Sequence, residues 1–443
     1  MSALAKILLE MGYEVSGSDK SESAMTKHLK DLGATVFIGH SSGNVRGVDA
    51  VVVSSAIPFD NPEVLAAHDL NIPKLHRSDI NAALLNAKKG IAVAGAHGKT
   101  TTTSMIGVML NHLNLSPTVI IGGESPDLGT NALLGKGEYL VSEADESDGS
   151  FLKLRPHIAV VTNVENDHLD HYGTMENIRA AFKEFIENTD EKTGCAVLCF
   201  DSENLRQIAQ NINRKYYSYA IEHEADYRAA NIETDGQGTS FDVIHGGENL
   251  GRVTLSIPGR HNVLDALAAV VTGLTMGLKT EDMAAGLKIF HGAKRRFQLK
   301  GFEKGIRVID DYAHHPTEIT ATLEAAKETK PKRLICVFQP HRYSRTQLLH
   351  SEFATAFGAA DILVMTDIYP AGEAPIPGID GTTIPRDIKN FTGKLPMYIE
   401  EREKLAEYLL SIVQEGDMVI TMGAGDIYKT GEELLELLRG KGK

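Results

Sequence analysis

The run Ala94-Gly95-Ala96-His97-Gly98-Lys99-Thr100-Thr101 carries residue types suited to phosphate chemistry. Glycines let backbone N–H groups crowd a polyphosphate, a helix N-terminus favours its negative charge, and Lys99 reaches the terminal phosphates. Thr100 or Thr101 offers a hydroxyl to Mg²⁺. Counted from Ala94 the loop is one residue tighter than G-x-x-x-x-G-K-[ST], and counted from Gly95 it is two tighter. The pattern predicts a nucleoside triphosphate site.

Other polar clusters follow apolar runs that read as strands. Glu143-Ala144-Asp145-Glu146 comes after one of them, and Glu143 is the favoured carboxylate to complete the ion site begun by Thr100. Asn163-Val164-Glu165-Asn166-Asp167-His168-Leu169-Asp170-His171 follows the next, where His168 alone is a weak metal signal because Mg²⁺ prefers oxygen. Gly259-Arg260-His261-Asn262 precedes a helix, with Asn262 as N-cap, ligand contact or both. Lys294-Arg295-Arg296 offers a guanidinium either to phosphate or to a salt bridge. Asp310-Asp311-Tyr312-Ala313-His314-His315-Pro316 and Gln339-Pro340-His341-Arg342-Tyr343-Ser344-Arg345 end two further strands. Arg342 and Arg345, three apart, would face the same way on a helical turn and suit a carboxylate. No Ser-His-Asp order, H-E-x-x-H or activated cysteine pattern is evident, which points to direct phosphoryl chemistry on a bound substrate.

The elements that must position these groups alternate in α/β fashion. A segment over 1–88 places Leu4, Ile7, Leu8 and Met11 on one helical face, then a strand from Tyr13 to Ser18, a helix with Met25, Leu29 and Leu32, and strands at Thr35–Ile38 and Ala50–Ser54. Such a doubly wound domain normally opens with a strand and a G-x-G-x-x-G turn. Here Met1 sits at the helix start, so that strand and turn are expected to be missing. The segment 89–296 holds a strand from Gly90 to Val93 and a helix with apolar residues at 105, 106, 109, 110 and 113. Strands at Tyr139–Ser142 and Ile158–Thr162 follow, then a small antiparallel patch over Tyr216–Pro258 around Asp235-Gly236-Gln237-Gly238. A helix from Asn262 to Gly277 turns Val263, Leu267, Val270, Val271 and Leu274 inward. The segment 297–443 carries strands at Arg307–Ile309, Leu334–Phe338, Ile362–Thr366 and Met418–Thr421, helices over Glu318–Glu328 and Glu403–Val413, and an exposed loop at Gly372–Pro385.

At 443 residues the chain is too long for a single core. A formal charge of −14 argues against nucleic acid as a bulk partner. No apolar run approaches the ~20 residues needed to span a bilayer, and no secretory signal is visible. Cys195, Cys199 and Cys336 cannot all pair; the first two flank an apolar stretch and read as core, which fits a reducing cytoplasm.

Together these strings resemble the Mur ligase family, the ATP-dependent enzymes that build the peptide of bacterial cell-wall precursors. The carriers are Gly95 to Thr101, Glu143, Asp167-His168, Pro258 to Asn262 and Arg296, with Arg295-Arg296-Phe297-Gln298 and the strings at 310–316 and 339–346 closest to the branch that adds L-alanine. The resemblance implies three domains: a Rossmann-like UDP-sugar domain at 1–88, a central P-loop-type ATP domain at 89–296, and a Rossmann-like amino-acid-site domain at 297–443. It implies that L-alanine is joined to the lactyl carboxylate of UDP-N-acetylmuramate through an acyl phosphate, with ATP and Mg²⁺. Lys99, His168 and Arg296 would be catalytic. Gly95, Ala96, His97, Gly98, Lys99, Thr100, Thr101, Asn262, Arg296 and Asp311 would bind ATP, and Thr100, Glu143 and His168 the metal. Tyr312, His314, Arg342 and Arg345 would hold the amino acid, and Ser18, Asp19, Ser54, Ser55, His76 and Arg77 the UDP-sugar. Asp265 departs from an Asn common in the family. Phe182 stands where several relatives carry a carbamylated lysine, so no carbamate is expected. The competing readings are a ligase that recycles a ready-made tripeptide onto the same nucleotide sugar, and a non-catalytic nucleotide-binding paralogue. The sequence specifies no oligomeric state.

Overall fold

The parallel strands of the largest sheet are written in the sequence as short continuous apolar runs, because strands covered by helices on both faces need no polar side. In the computed structural model, which describes residues 1–234 and 238–440, Ile91, Ala92, Val93 and Ala94 are all fully buried. The chain divides into two compact units. One comprises Met1–Asn231, Phe241–Val253 and Leu264–Phe290; the other comprises Ile232–Ser240, Thr254–Val263 and His291–Lys443.

The largest sheet has ten strands, in the order Glu248–Leu255, Thr239–His245, Tyr227–Thr234, Tyr216–Ala220, Cys195–Cys199, Ile158–Val161, Lys89–Ala94, Tyr139–Glu143, Thr118–Ser125 and Thr130–Leu133. Lys89–Ala94 lies between two parallel neighbours that follow it in sequence. Their carboxyl ends therefore converge where open α/β sheets hold ligands. Tyr216–Ala220 pairs in parallel with Cys195–Cys199 and with Tyr227–Thr234. The expected antiparallel patch therefore opens on a parallel strand and continues the ten-stranded sheet, and the predicted turn residues Asp235, Gly236 and Gln237 lie outside the described residues.

Within the first 88 residues the strands pair in two separate parallel couples, Ser16–Asp19 with Thr35–Ile38 and Val51–Val53 with Lys74–His76. The strand read from Tyr13 begins at Ser16, and Tyr13 is exposed. The first helix, Ser2–Glu10, buries Ala3, Leu4 and Ile7, but Met11 lies beyond its end and in solvent. The helix Ala24–Asp31 buries Thr26, leaving Met25 and Leu29 partly covered and Leu32 exposed.

The helix Lys99–His112 is buried on every face from Thr101 to Leu110 rather than along one stripe. It packs against strand Thr118–Ser125 on one side and helix Thr280–Lys288 on another. Gly107 and Gly286 permit these close approaches, since a Cβ would stand 2.9 Å from Val119 Cγ1 at the first and 3.1 Å from Met109 Cα at the second. Arg260–Thr275 forms one helix. Asn262 therefore sits in its first turn rather than at the N-cap, its Nδ2 donating to the Pro258 carbonyl at 2.6 Å.

The second sheet has six strands, in the order Gln298–Glu303, Ile306–Asp311, Met418–Met422, Leu334–Phe338, Ile362–Met365 and Met397–Tyr398. Only the first pair is antiparallel. The predicted loop at Gly372–Pro385 ends early, because Thr383, Ile384 and Pro385 open the helix Thr383–Thr392 and are buried. Proline is tolerated there because the first turn does not need its N–H. All three cysteines are free and buried, as the core reading requires. Burial pushes the Cys199 thiol up to about 12.

Candidate active site

In the first unit the phosphate-loop backbone is set by contacts that exclude side chains. Gly95 has φ +137°, and a Cβ there would lie 2.1 Å from Thr162 Oγ1. Gly98 has φ +83°, and its Cβ would meet Asp265 Oδ1 at 2.5 Å. Only glycine fits either position. Asn163 braces the loop, its Oδ1 accepting from the His97 N–H at 2.9 Å and its Nδ2 donating to the His97 carbonyl at 3.0 Å. Thr162 Oγ1 donates to that same carbonyl at 2.5 Å. Asp265 accepts from Thr102 Oγ1 at 3.0 Å, underneath the loop.

Lys99 folds back onto this loop. Its ammonium donates to the Gly95 carbonyl at 2.5 Å, the Ala96 carbonyl at 3.4 Å and Glu146 Oε1 at 2.6 Å. Burial disfavours the charge, but the Glu146 carboxylate, helped by Asp145 and Glu143, outweighs it and holds the Lys99 pKa above its ordinary value. Lys99 is therefore a charged cation at neutral pH.

The three acidic residues at the carboxyl end of strand Tyr139–Glu143, namely Glu143, Asp145 and Glu146, diverge. Glu143 Oε1 accepts from the Gly122 N–H at 2.7 Å, and Gly123 brings its backbone near Thr100, whose Cγ2 would lie 3.4 Å from a Cβ there. Asp145 pairs with Arg77. Glu146 takes Lys99. His168 has φ +59°, and its Nε2 stands 3.6 Å from Asp167 Oδ2 and 4.0 Å from Glu146 Oε1. Thr100 and Glu143 thus approach the same pair of glycines, while His168 faces Glu146.

The second unit gathers another cluster at the carboxyl ends of its strands. Arg295 donates to Asp310 Oδ2 at 2.9 Å and to the Gly425 and Gly423 carbonyls at 3.1 and 2.7 Å. It also stacks 4.9 and 4.8 Å from the Tyr312 and Tyr428 ring centres. Arg296 pairs with Glu318 at 3.3 Å and lies over Tyr312. Asp311 is buried, and its two oxygens accept from the Phe297 and Ala313 N–H groups, both at 2.7 Å. Burial raises its pKa to about 6 against the pull of Arg296 and those two N–H groups. His314 and His341 are driven down to about 3 and about 4 by burial, and Arg345 pushes both the same way. Both rings are neutral at pH 7, with centroids 6.0 Å apart. Arg342 precedes the helix Tyr343–Ala356 with φ +70° and faces Glu373 at 3.7 Å, so it does not share a helical turn with Arg345.

Three family profiles match the chain: "Mur ligase family, catalytic domain" over residues 1–89, "Mur ligase middle domain" over 93–273 and "Mur ligase, glutamate ligase domain" over 295–425. The UDP-N-acetylmuramate--L-alanine ligase of Geotalea daltonii is 49% identical over 439 residues, covering 99% of this chain and 96% of the relative. The chain belongs to the Mur ligase family. Among solved Mur ligase structures, the UDP-N-acetylmuramate-alanine ligase of Thermotoga maritima superposes with TM-score 0.85 at 30% identity, covering 100% of this chain and 97% of that one. A murein peptide ligase from Psychrobacter arcticus does so with TM-score 0.73 at 25% identity over 99% and 96%.

Mur ligases are ATP-dependent ligases. The sequence pattern points to Glu143 beside the phosphate loop but gives no separate signal for Glu146, Thr162 or Asn163, whose contacts with the loop and Lys99 depend on the folded backbone. Of the residues expected at the UDP-sugar, Ser18 donates to Glu63 Oε2 at 2.7 Å and lies 2.9 Å from His40 Nδ1. Asp19 accepts from the Ser21 N–H at 3.3 Å. Ser55 donates to Asp148 at 2.5 Å and stands 3.1 Å from His76 Nε2. Ser54 accepts from the Ile57 N–H through its carbonyl at 3.0 Å.

Asp148 supplies a pH prediction. Burial alone would raise its pKa, but hydrogen bonds from Ser150 and Ser55 outweigh it and hold the carboxyl at about 2, against an ordinary 3.8. The stabilisation is therefore complete above about pH 4 and disappears as pH falls toward 2. Thermal unfolding of wild type and Asp148→Asn between pH 2 and 6 should show the wild type losing its advantage below pH 4. Parallel curves over that interval would contradict the assignment.

Proposed function

We propose that this Mur ligase joins L-alanine to the lactyl carboxylate of UDP-N-acetylmuramate, at the cost of ATP, in the synthesis of peptidoglycan precursors. The observation that carries the reading is the 49% identity, spread over 99% of the chain, to a ligase of that name. The division of labour follows the segments: 1–88 for the UDP-sugar, 89–296 for ATP and 297–443 for the amino acid. No helix among the described residues is long and apolar enough to cross a membrane. The proposed substrates are small molecules, and the proposed setting is the cytoplasm.

The lactyl carboxylate attacks the γ-phosphate, giving an acyl phosphate and ADP. The amine of L-alanine then adds to the acyl carbon, and the tetrahedral intermediate expels phosphate. The protein contributes positioning and charge stabilisation rather than a nucleophile of its own. Glycine-bounded N–H groups of residues 95–101 cradle the phosphates, and Lys99 swings from the Gly95 carbonyl to meet them. Arg296 adds a second cation. Tyr312, His314, Arg342 and Arg345 accommodate the amino acid, the arginines at its carboxylate; the neutral rings of His314 and His341 add no charge of their own.

The donor chemistry suits Mg²⁺. Thr100 supplies a hydroxyl and Glu143 a carboxylate held by Gly122, the oxygen donors this ion prefers, while the His168 ring nitrogen stands beside a second carboxylate, Glu146. When bound, Mg²⁺ neutralises charge on the phosphates. The test is phosphate release from MgATP in the presence of UDP-N-acetylmuramate, with and without L-alanine. Steady release should require both; release indifferent to the sugar nucleotide would refute the reading.

A further inference from the structure

Glu146 is the most deeply buried carboxylate next to the phosphate loop, with its side chain only 4% exposed. Oε1 holds Lys99 at 2.6 Å, whereas Oε2 is buried with no hydrogen-bond partner among the described residues. Tyr172 fixes the backbone beneath it, its hydroxyl donating to the Glu146 carbonyl at 2.6 Å. An orphaned oxygen on a buried carboxylate is costly unless a cation or donor meets it.

The Lys99 ammonium has three N–H donors, and here three acceptors face it: the Gly95 and Ala96 carbonyls and Glu146. None is left for a phosphate. To reach a nucleotide, Lys99 must surrender part of this set, and the charged partner it leaves behind needs another cation. His168 Nε2, 4.0 Å from Glu146 Oε1 with Asp167 beside it, supplies a second donor at the same place.

We propose that Glu146 is a further cation ligand, acting with His168, and that a divalent ion there displaces Lys99 from Glu146 and frees it for the phosphates. This rests on the ATP-dependent reading above. Metal and nucleotide then bind cooperatively, because one ion both satisfies the buried carboxylate and releases the ammonium. Glu143, held by Gly122, remains with Thr100 at the other ion position.

The experiment is Mn²⁺ titration of the full chain by electron paramagnetic resonance with saturating ADP, together with calorimetric ADP titration in EDTA. In Glu146→Gln one Mn²⁺ should weaken by about tenfold or more, while metal-free ADP binds several-fold tighter than to wild type because Lys99 is no longer pinned. Glu146→Asp keeps the charge on a shorter arm; it should weaken Mn²⁺ without the gain in metal-free ADP affinity. Unchanged Mn²⁺ binding in a Glu146→Gln protein that melts like wild type would overturn the proposal. A wild-type chain that binds neither ADP nor Mn²⁺ would instead refute the ATP-dependent reading itself.

Discussion

Lys99→Met should lower phosphate release from MgATP by about 10³-fold with both co-substrates present. The expectation follows from position: Lys99 opens the helix behind the loop, Gly98 at φ +83° brings the loop backbone around to it, and the ammonium stays charged despite its burial. Methionine keeps the length of the stem and removes the charge. It also leaves the Glu146 carboxylate buried without its cation, which costs stability. Lys99→Met/Glu146→Gln removes that cost, and it should recover the melting temperature without recovering turnover. Turnover within tenfold of wild type in either variant would exclude Lys99 from phosphate stabilisation.

Arg295→Ala should destabilise the second unit by about 3–5 kcal/mol, the usual loss when one partner of a buried ion pair is removed. Asp310 is completely buried, and its other oxygen accepts from Thr421 Oγ1 at 2.8 Å. Without Arg295 it becomes an uncompensated charge in the interior. The Gly423 and Gly425 carbonyls lose their donor at the same time, and two aromatic rings lose a stacked guanidinium. Arg296→Ala should cost much less stability, since its ion pair with Glu318 is more exposed, but should weaken ATP turnover. Denaturant unfolding and steady-state rates of the two variants separate these effects. Equal stability losses would contradict the division of roles.

These adjacent arginines show where sequence reading stops. Lys294-Arg295-Arg296 offers a phosphate contact and a salt-bridge anchor with equal force, because neighbouring residues point in different directions only once the backbone is fixed. The positive φ of Arg295 sends its side chain toward Asp310, while Arg296 goes to Glu318. Glu143, Asp145 and Glu146 pose the same problem: three acids in four positions look alike, yet one meets Gly122, one Arg77 and one Lys99. By contrast the phosphate loop was legible because its determinants are local, namely two glycines, a lysine and the start of a helix. Leu334–Phe338 appears where its apolar run predicted it. The first 88 residues were harder, since strands of three or four partly exposed residues carry little hydrophobic signal. Asn262 was displaced from its expected cap by a helix that starts two residues earlier, at Arg260.

The most direct test of the proposed ligase is to supply the same chain, UDP-N-acetylmuramate and MgATP with alternative amines. L-Alanine should support phosphate release and a stoichiometric amide product, and the tripeptide L-alanyl-γ-D-glutamyl-meso-diaminopimelate should support neither at comparable concentration. Faster release with the tripeptide than with L-alanine would contradict the account and assign the chain to peptide recycling.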